Sequence, residues 1–133
     1  MISDWYQTLQ RPPFTPPNWV FGPAWAILYA MILLSIILYV RAPKTAPKSV
    51  IITTYALLAV HIATNLLWTA LFFRLQSPAL ALVDIVLLDL TLALLIYRFY
   101  PTSPTASLLL IPYQLWVLFA TYLNVGFLVL NRA

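Results

Sequence analysis

The chain has 133 residues, 63% of them hydrophobic and 8% charged, with seven Lys or Arg against three Asp or Glu. A soluble domain carries about 25% charged residues to keep its surface wet; this chain lacks that charge and reads as an integral membrane protein. Cysteine is absent, which excludes disulfides, thiolate catalysis and Cys-ligated metal. The net charge of +4 is spread over loops and ends, as topology information and headgroup contact, not as a nucleic-acid-binding patch.

The first ten residues, MISDWYQTLQ, lack a basic segment followed by an apolar run, so no cleavable signal peptide is expected. Next comes RPPFTPPNWVFGPAW at 11–25. Pro12, Pro13, Pro16 and Pro17 fix φ and favour extended backbone without internal hydrogen bonds. Such a segment cannot span a bilayer, and residues 1–18 are expected to form a stiff lid over the mouth of a helix bundle. Trp5, Phe14 and Trp19 belong at the lipid–water interface, where indoles concentrate. Pro23 is placed in the first turn or so of the first helix, Gly22 at a close backbone approach, and Trp25 as the first side chain pointing inward.

Four apolar runs follow, at about 19–40, 49–73, 79–97 and 107–130. Each approaches or exceeds the roughly 20 helical residues that cross a hydrocarbon core, and none shows the alternating polarity of a barrel strand. The expected fold is therefore an all-α, four-transmembrane-helix bundle in one membrane domain, 1–133. The short link at 74–78 makes helices two and three an antiparallel hairpin. Arg41, Lys44, Lys48 and Arg98 fall on one side of the membrane, and Arg11, Arg74 and Arg132 on the other, with Asp4 beside Arg11. Four cations against three favour the first side as cytoplasmic, with both termini outside.

Polar side chains are costly in lipid, so their placement is informative. His61, Asn65, Trp68 and Phe72 share one face of helix two, at spacings of four, three and four. Tyr113, Trp116, Ala120, Asn124 and Phe127 share a face of helix four; Trp25, Tyr29, Ile32 and Ser35 share one of helix one. Each stripe taken singly is explained by interhelical packing. Together they predict a flat-walled, sparsely polar pocket suited to a planar or polycyclic hydrophobic ligand.

Asp84 and Asp89 lie in helix three, about 140° apart around its axis, too far apart in direction for a paired-carboxylate mechanism. Asp84 is near enough to the interface for a hydrogen bond there or to a neighbouring Trp. His61 is read equally as a pocket residue or a structural one. No second His or acidic neighbour completes a metal site around it, although a lone axial haem contact is conceivable. A loose sterol-type spacing, Leu33 or Leu34, then Tyr39, then Arg41, is present, a pattern common by chance in helices that end in a cation.

In order, these residues resemble the tryptophan-rich sensory protein/translocator protein family, also called the peripheral benzodiazepine receptor family. The motifs are WYQTLQRPPFTPPNWVFGPAWAILY at 5–29; Asn65, Trp68, Phe72 and Phe73; ALVD at 81–84; and Pro112, Tyr113, Trp116, Phe119, Ala120, Leu123 and Asn124. They cover nearly the whole chain. The resemblance implies a helical membrane protein, often dimeric, that binds protoporphyrin IX and other tetrapyrroles, sterols, or isoquinoline- and benzodiazepine-type drugs, with no required cofactor. It implies a bacterial cell membrane as the location. It carries the family's pocket onto Phe21, Gly22, Trp25, Tyr29, Asn65, Trp68, Trp116, Ala120 and Leu123, to which the stripe adds His61. It also implies Trp25 and Trp116 as candidates for light- and oxygen-dependent porphyrin breakdown. The alternative is a ligand-free oligomerising scaffold.

The pattern departs from the family at three points. The family's first of five helices precedes the WYQTL segment, so a four-span form is expected, with the pocket open on one flank or closed by a second copy. His61 stands for a family Gln. Tyr97 or Phe99 stands for a Trp, and Asp89 for a small residue.

Overall fold

The structure is a computed structural model that describes Trp5 and residues 8–131. Asp4 and Arg132, used in the charge count, and the side chain of Phe73 lie outside the described residues.

Helix α1 (Asn18–Arg41) starts directly after Pro17, whose ψ of 150° is non-helical. Pro23 therefore falls in the second turn, not the first. Its ring withholds the N–H that would have bonded the Trp19 carbonyl. Beyond the last turn, Lys44 Nζ donates to the carbonyls of Tyr39, Val40 and Ala42 at 2.7, 2.9 and 2.8 Å. A cation is favoured at a helix C-terminus, where unpaired carbonyls gather.

Helix α2 (Lys48–Thr69) follows Pro47 and widens into a π turn, Ala70–Arg74. There Leu75 N donates to the Ala70 carbonyl five residues back, at 3.0 Å. Gln76, with φ 51°, reverses the chain. Ser77 caps α3 (Pro78–Phe99): its hydroxyl accepts from Leu80 N at 3.2 Å, and Pro78 fills the first position, where a missing N–H costs nothing. Ser103 and Pro104 repeat the device at α4 (Pro104–Leu109). Pro112 cannot donate to the Leu108 carbonyl, and the chain breaks at Leu110 before α5 (Ile111–Asn131). The fourth crossing is thus Pro104–Asn131, a broken helix that begins three residues before the expected 107.

Among the described residues, four helical segments are long and apolar enough to cross a membrane, in agreement with the expected four-span bundle. Helix α3 is its centre. Ala81, Ile85, Leu88, Leu92, Leu95 and Phe99 recur at spacings of four and three, and all are buried. They pack against α2 on one side and α5 on the other, while α1 lies on α4 and α5. Ser35 Oγ donates to the Ala106 carbonyl at 2.6 Å, a contact that the small Ala side chain permits. Helices α1 and α2 flank an open side of the bundle. Large apolar side chains such as Leu33, Leu66, Val83, Leu90 and Leu115 face outward, as lipid-facing surfaces require.

The segment before α1 departs from a uniformly extended lid. Thr15 N and Oγ1 both donate to the Pro12 carbonyl, at 3.3 and 2.6 Å, and Phe14 takes φ 67°. This is a turn, since the Thr15 hydroxyl supplies the bond that extended proline backbone lacks. The turn is fastened to α5. Tyr122 Oη donates to the Pro13 carbonyl at 2.6 Å, Gln10 and Asn131 bond in both directions at 2.8 and 2.9 Å, and Pro12 packs on Gly126. Phe14 and Trp19 are exposed, as interface anchors should be. Trp5 instead packs edge-on against buried Phe72, with centroids 5.5 Å apart, because the turn brings it down onto the end of α2.

Candidate functional site

Trp25, Tyr29, Asn65, Trp68 and Ala120, all expected in a pocket, meet around one small internal cavity. Ile85, Leu88 and Val117 complete its wall. Helix periodicity brings them together: Trp25 and Tyr29 are one turn apart on α1, Asn65 and Trp68 on α2, and Val117 and Ala120 on α5. The cavity measures about 10 Å³, room for one water at most.

A directed chain of hydrogen bonds runs past this cavity. Tyr29 Oη donates to Asn65 Oδ1 at 3.0 Å, and Asn65 Nδ2 donates to Tyr113 Oη. Thr91 commits its proton to the Leu88 carbonyl at 3.1 Å, so it accepts from His61 Nδ1 at 2.7 Å. His61 is then the Nδ1–H tautomer, and its Nε2 accepts the Tyr113 hydroxyl proton at 3.0 Å. Both ring nitrogens are used by protein partners, so an axial contact to haem iron would require displacing Tyr113. His61 serves the bundle as a hydrogen-bonded core residue. A second relay links Trp68 Nε1 to Asn124 Oδ1 at 3.0 Å and Asn124 Nδ2 to the Pro78 carbonyl at 2.8 Å.

The remaining expected residues lie around this centre. Trp116 meets Trp25 edge to face at 6.2 Å and Phe21 at 6.1 Å. It lines a groove of about 410 Å³ between α1 and α5 and does not line the small cavity. Its buried Nε1–H has no acceptor among the described residues. Leu123 is buried two turns beyond Trp116, among Phe72, Ala81 and Phe127. Gly22 is exposed, and a Cβ there would meet nothing within 4 Å. The close approach expected at Gly22 occurs at Gly126 instead, where an added Cβ would strike the Pro12 ring, because the lid folds back onto α5 and not onto α1.

The acids separate as expected. Asp89 turns to α5, accepting from Gln114 Nε2 at 3.1 Å and Thr121 Oγ1 at 2.6 Å. Asp84 is buried, and its Oδ2 has no partner among the described residues. No Trp reaches that oxygen, since Trp68 is committed to Asn124. Tyr39 of the sterol-type spacing is 2% exposed and stacked on Phe99 at 4.2 Å, so its ring is core packing. Ile85, Leu88 and Val117 were missed as wall residues, although the four-and-three spacing of apolar residues on α3 was there to be read.

Helices α1 and α2 diverge over a groove of about 210 Å³, with Tyr29, His61, Asn65 and Tyr113 at its floor and Leu33 and Leu66 at its rim. The groove opens to the lipid side, and among the described residues the Tyr29–Asn65 hydrogen bond crosses it.

The profile of the TspO/MBR family matches residues 1–130. The chain belongs to the TspO/MBR family. The tryptophan-rich protein TspO of Archaeoglobus fulgidus is 42% identical over 135 aligned positions, covering 98% of this chain and 82% of that protein. The tryptophan-rich protein TspO of Chlorobaculum tepidum is 42% identical over 130, covering 97% and 80%. The human translocator protein is 36% identical over 121, covering 90% and 70%. Membership together with four spanning segments makes the chain an integral, multi-pass membrane protein of this family.

Proposed function

We propose that this TspO/MBR protein is a receptor- or sensor-like membrane protein that binds a planar, polycyclic hydrophobic ligand, a porphyrin-type tetrapyrrole or a sterol, among Trp25, Tyr29, Asn65, Trp68 and Ala120. The observation that carries the reading is the convergence of these five residues, from three helices, on one cavity. Ring faces and an amide give the wall of a stacking site with few polar contacts. Trp116 Nε1–H, buried without an acceptor, is a donor that a ligand carbonyl or carboxylate would satisfy.

The closed cavity is far below the roughly 300–1,000 Å³ of a ligand site. Binding therefore opens it, and the α1–α2 groove is the side where the least packing must part. Entry is lateral, from the bilayer, where a hydrophobic ligand is already concentrated. The same open flank supports a homodimer, and the archaeal and bacterial relatives support a prokaryotic cell membrane as the location.

Protoporphyrin IX titrated against the purified protein should quench Trp fluorescence saturably. Ala120→Phe, which fills the cavity, should weaken the affinity about tenfold or more. Unchanged affinity in Ala120→Phe and in Trp68→Ala removes this site from the account.

A further inference from the structure

A cavity of about 810 Å³ lies at the opposite end of the bundle from the lid. Tyr39, Val50, Ile96, Arg98, Tyr100 and Ile111 are among its lining residues. They come from the end of α1, the start of α2, the end of α3 and the start of the fourth crossing. This end carries Arg41, Lys44, Lys48 and Arg98. Of the acidic residues among those described, Asp84 lies in the half of α3 nearer the lid and Asp89 at its middle. Four cations thus gather at this end of the bundle, where Arg98 lines a largely apolar hollow that no Asp or Glu among the described residues lines.

Arg98 is held in a defined way. Its Nη1 donates to the Val50 carbonyl at 3.3 Å, Thr53 Oγ1 at 3.0 Å and Thr54 Oγ1 at 3.3 Å. Both hydroxyls pass their own protons back to α2 carbonyls, Thr53 to Ser49 at 2.8 Å and Thr54 to Val50 at 2.7 Å. Their lone pairs therefore face the guanidinium. One nitrogen of Arg98 is anchored, while Nε and Nη2 have no partner among the described residues. A planar fork with free donors is suited to a bidentate oxyanion. Lys44 is spent on capping α1, whereas Arg41 and Lys48 are exposed and add to the local potential.

We propose that this cavity binds an anionic glycerophospholipid, its phosphate on Arg98 and its glycerol and upper acyl segments along Val50, Ile96 and Ile111. A lipid fits better than a soluble anion for two reasons. The hollow is far larger than a phosphate and mostly apolar, and it opens at the level where spanning helices meet headgroups, beside exposed Tyr97 and Tyr100. Basic pockets at helix ends hold anionic headgroups by this combination of charge and apolar wall. The site is independent of the aromatic cavity near the lid.

Native mass spectrometry of the detergent-purified chain, with phosphatidylglycerol and phosphatidylcholine of matched acyl chains, tests it. The wild type should retain one phosphatidylglycerol about tenfold or more in preference to phosphatidylcholine. Arg98→Gln should abolish that preference, and Arg74→Gln, at the lid end, should preserve it. Ala93→Trp places bulk in the same cavity without altering charge, and should also abolish retention if Arg98→Gln proves too unstable to purify. Equal retention of the two lipids, or a preference that survives both Arg98→Gln and Ala93→Trp, overturns the proposal. Displacement of the lipid by millimolar inorganic phosphate would identify a soluble anion as the occupant and overturn it as well.

Discussion

Tyr29 and Asn65 are joined across the α1–α2 gap by a 3.0 Å hydrogen bond, Tyr29 Oη donating to Asn65 Oδ1. Tyr29 is 43% exposed and Asn65 is 9% exposed, so the bond ties a lipid-facing side chain to a buried amide. It is the first link of the chain that ends at Thr91 and the Leu88 carbonyl, and it bridges the gap between α1 and α2 beside the aromatic cavity. If ligand enters there, this bond is the latch.

Tyr29→Phe keeps the ring and removes the latch. Stability should fall by about 0.5–1.5 kcal/mol, the net worth of one hydrogen bond, and protoporphyrin should associate faster by stopped-flow quenching. Slower association would show that the α1–α2 groove is not the route.

His61→Ala should be costly for the fold. It removes the acceptor of the Tyr113 proton and the donor to Thr91, leaving the buried Tyr113 hydroxyl to find another acceptor at about 1–3 kcal/mol. His61→Gln, which both donates and accepts, should recover much of the loss in thermal unfolding. Equal losses in the two variants would show that the chain of bonds contributes little.

Asp89 should matter to stability and not to ligand. Its oxygens accept from Gln114 and Thr121 and do not line the aromatic cavity. Asp89→Ala should lower the unfolding temperature and leave the affinity for protoporphyrin within about twofold, under 0.5 kcal/mol. A larger change in affinity would place the carboxylate in the site.

Gly126→Val tests the fastening of the lid. A Cβ at this position runs into the Pro12 ring, and a proline ring cannot swing aside as a flexible side chain does. The lid should lift, at a cost of about 1–3 kcal/mol typical of overpacking, and protease cleavage within 10–17 should accelerate. Unaltered cleavage would show that Pro12 is not what holds the segment down.

The helices and most of the site were legible in the sequence because they follow from period and composition. Apolar runs of bilayer length gave the four crossings, and the spacing of His61, Asn65 and Trp68 placed them on one buried face. What could not be read depends on where a side chain finds its partner. The lid's fastening to α5 needs Tyr122, Gly126 and Asn131, which are over a hundred residues from Gln10 and Pro13. Gly22 looked like a contact point from its motif, yet the backbone it was expected to meet lies against Gly126. The break at Leu110 follows from Pro112, a residue visible in the sequence and passed over because the apolar run around it is continuous. Both ring nitrogens of His61 being taken depends on Thr91, an ordinary residue by sequence.

The central claim is that ligand opens the bundle between α1 and α2. Because the chain has no cysteine, spin labels at Leu33→Cys and Leu66→Cys, on the exposed rim of the groove, report that gap without interference. Pulsed electron–electron distance measurement with saturating protoporphyrin IX should show the separation lengthening by about 3.5–4 Å, the contact thickness of one inserted ring. Saturable binding with an unchanged distance distribution would contradict the account.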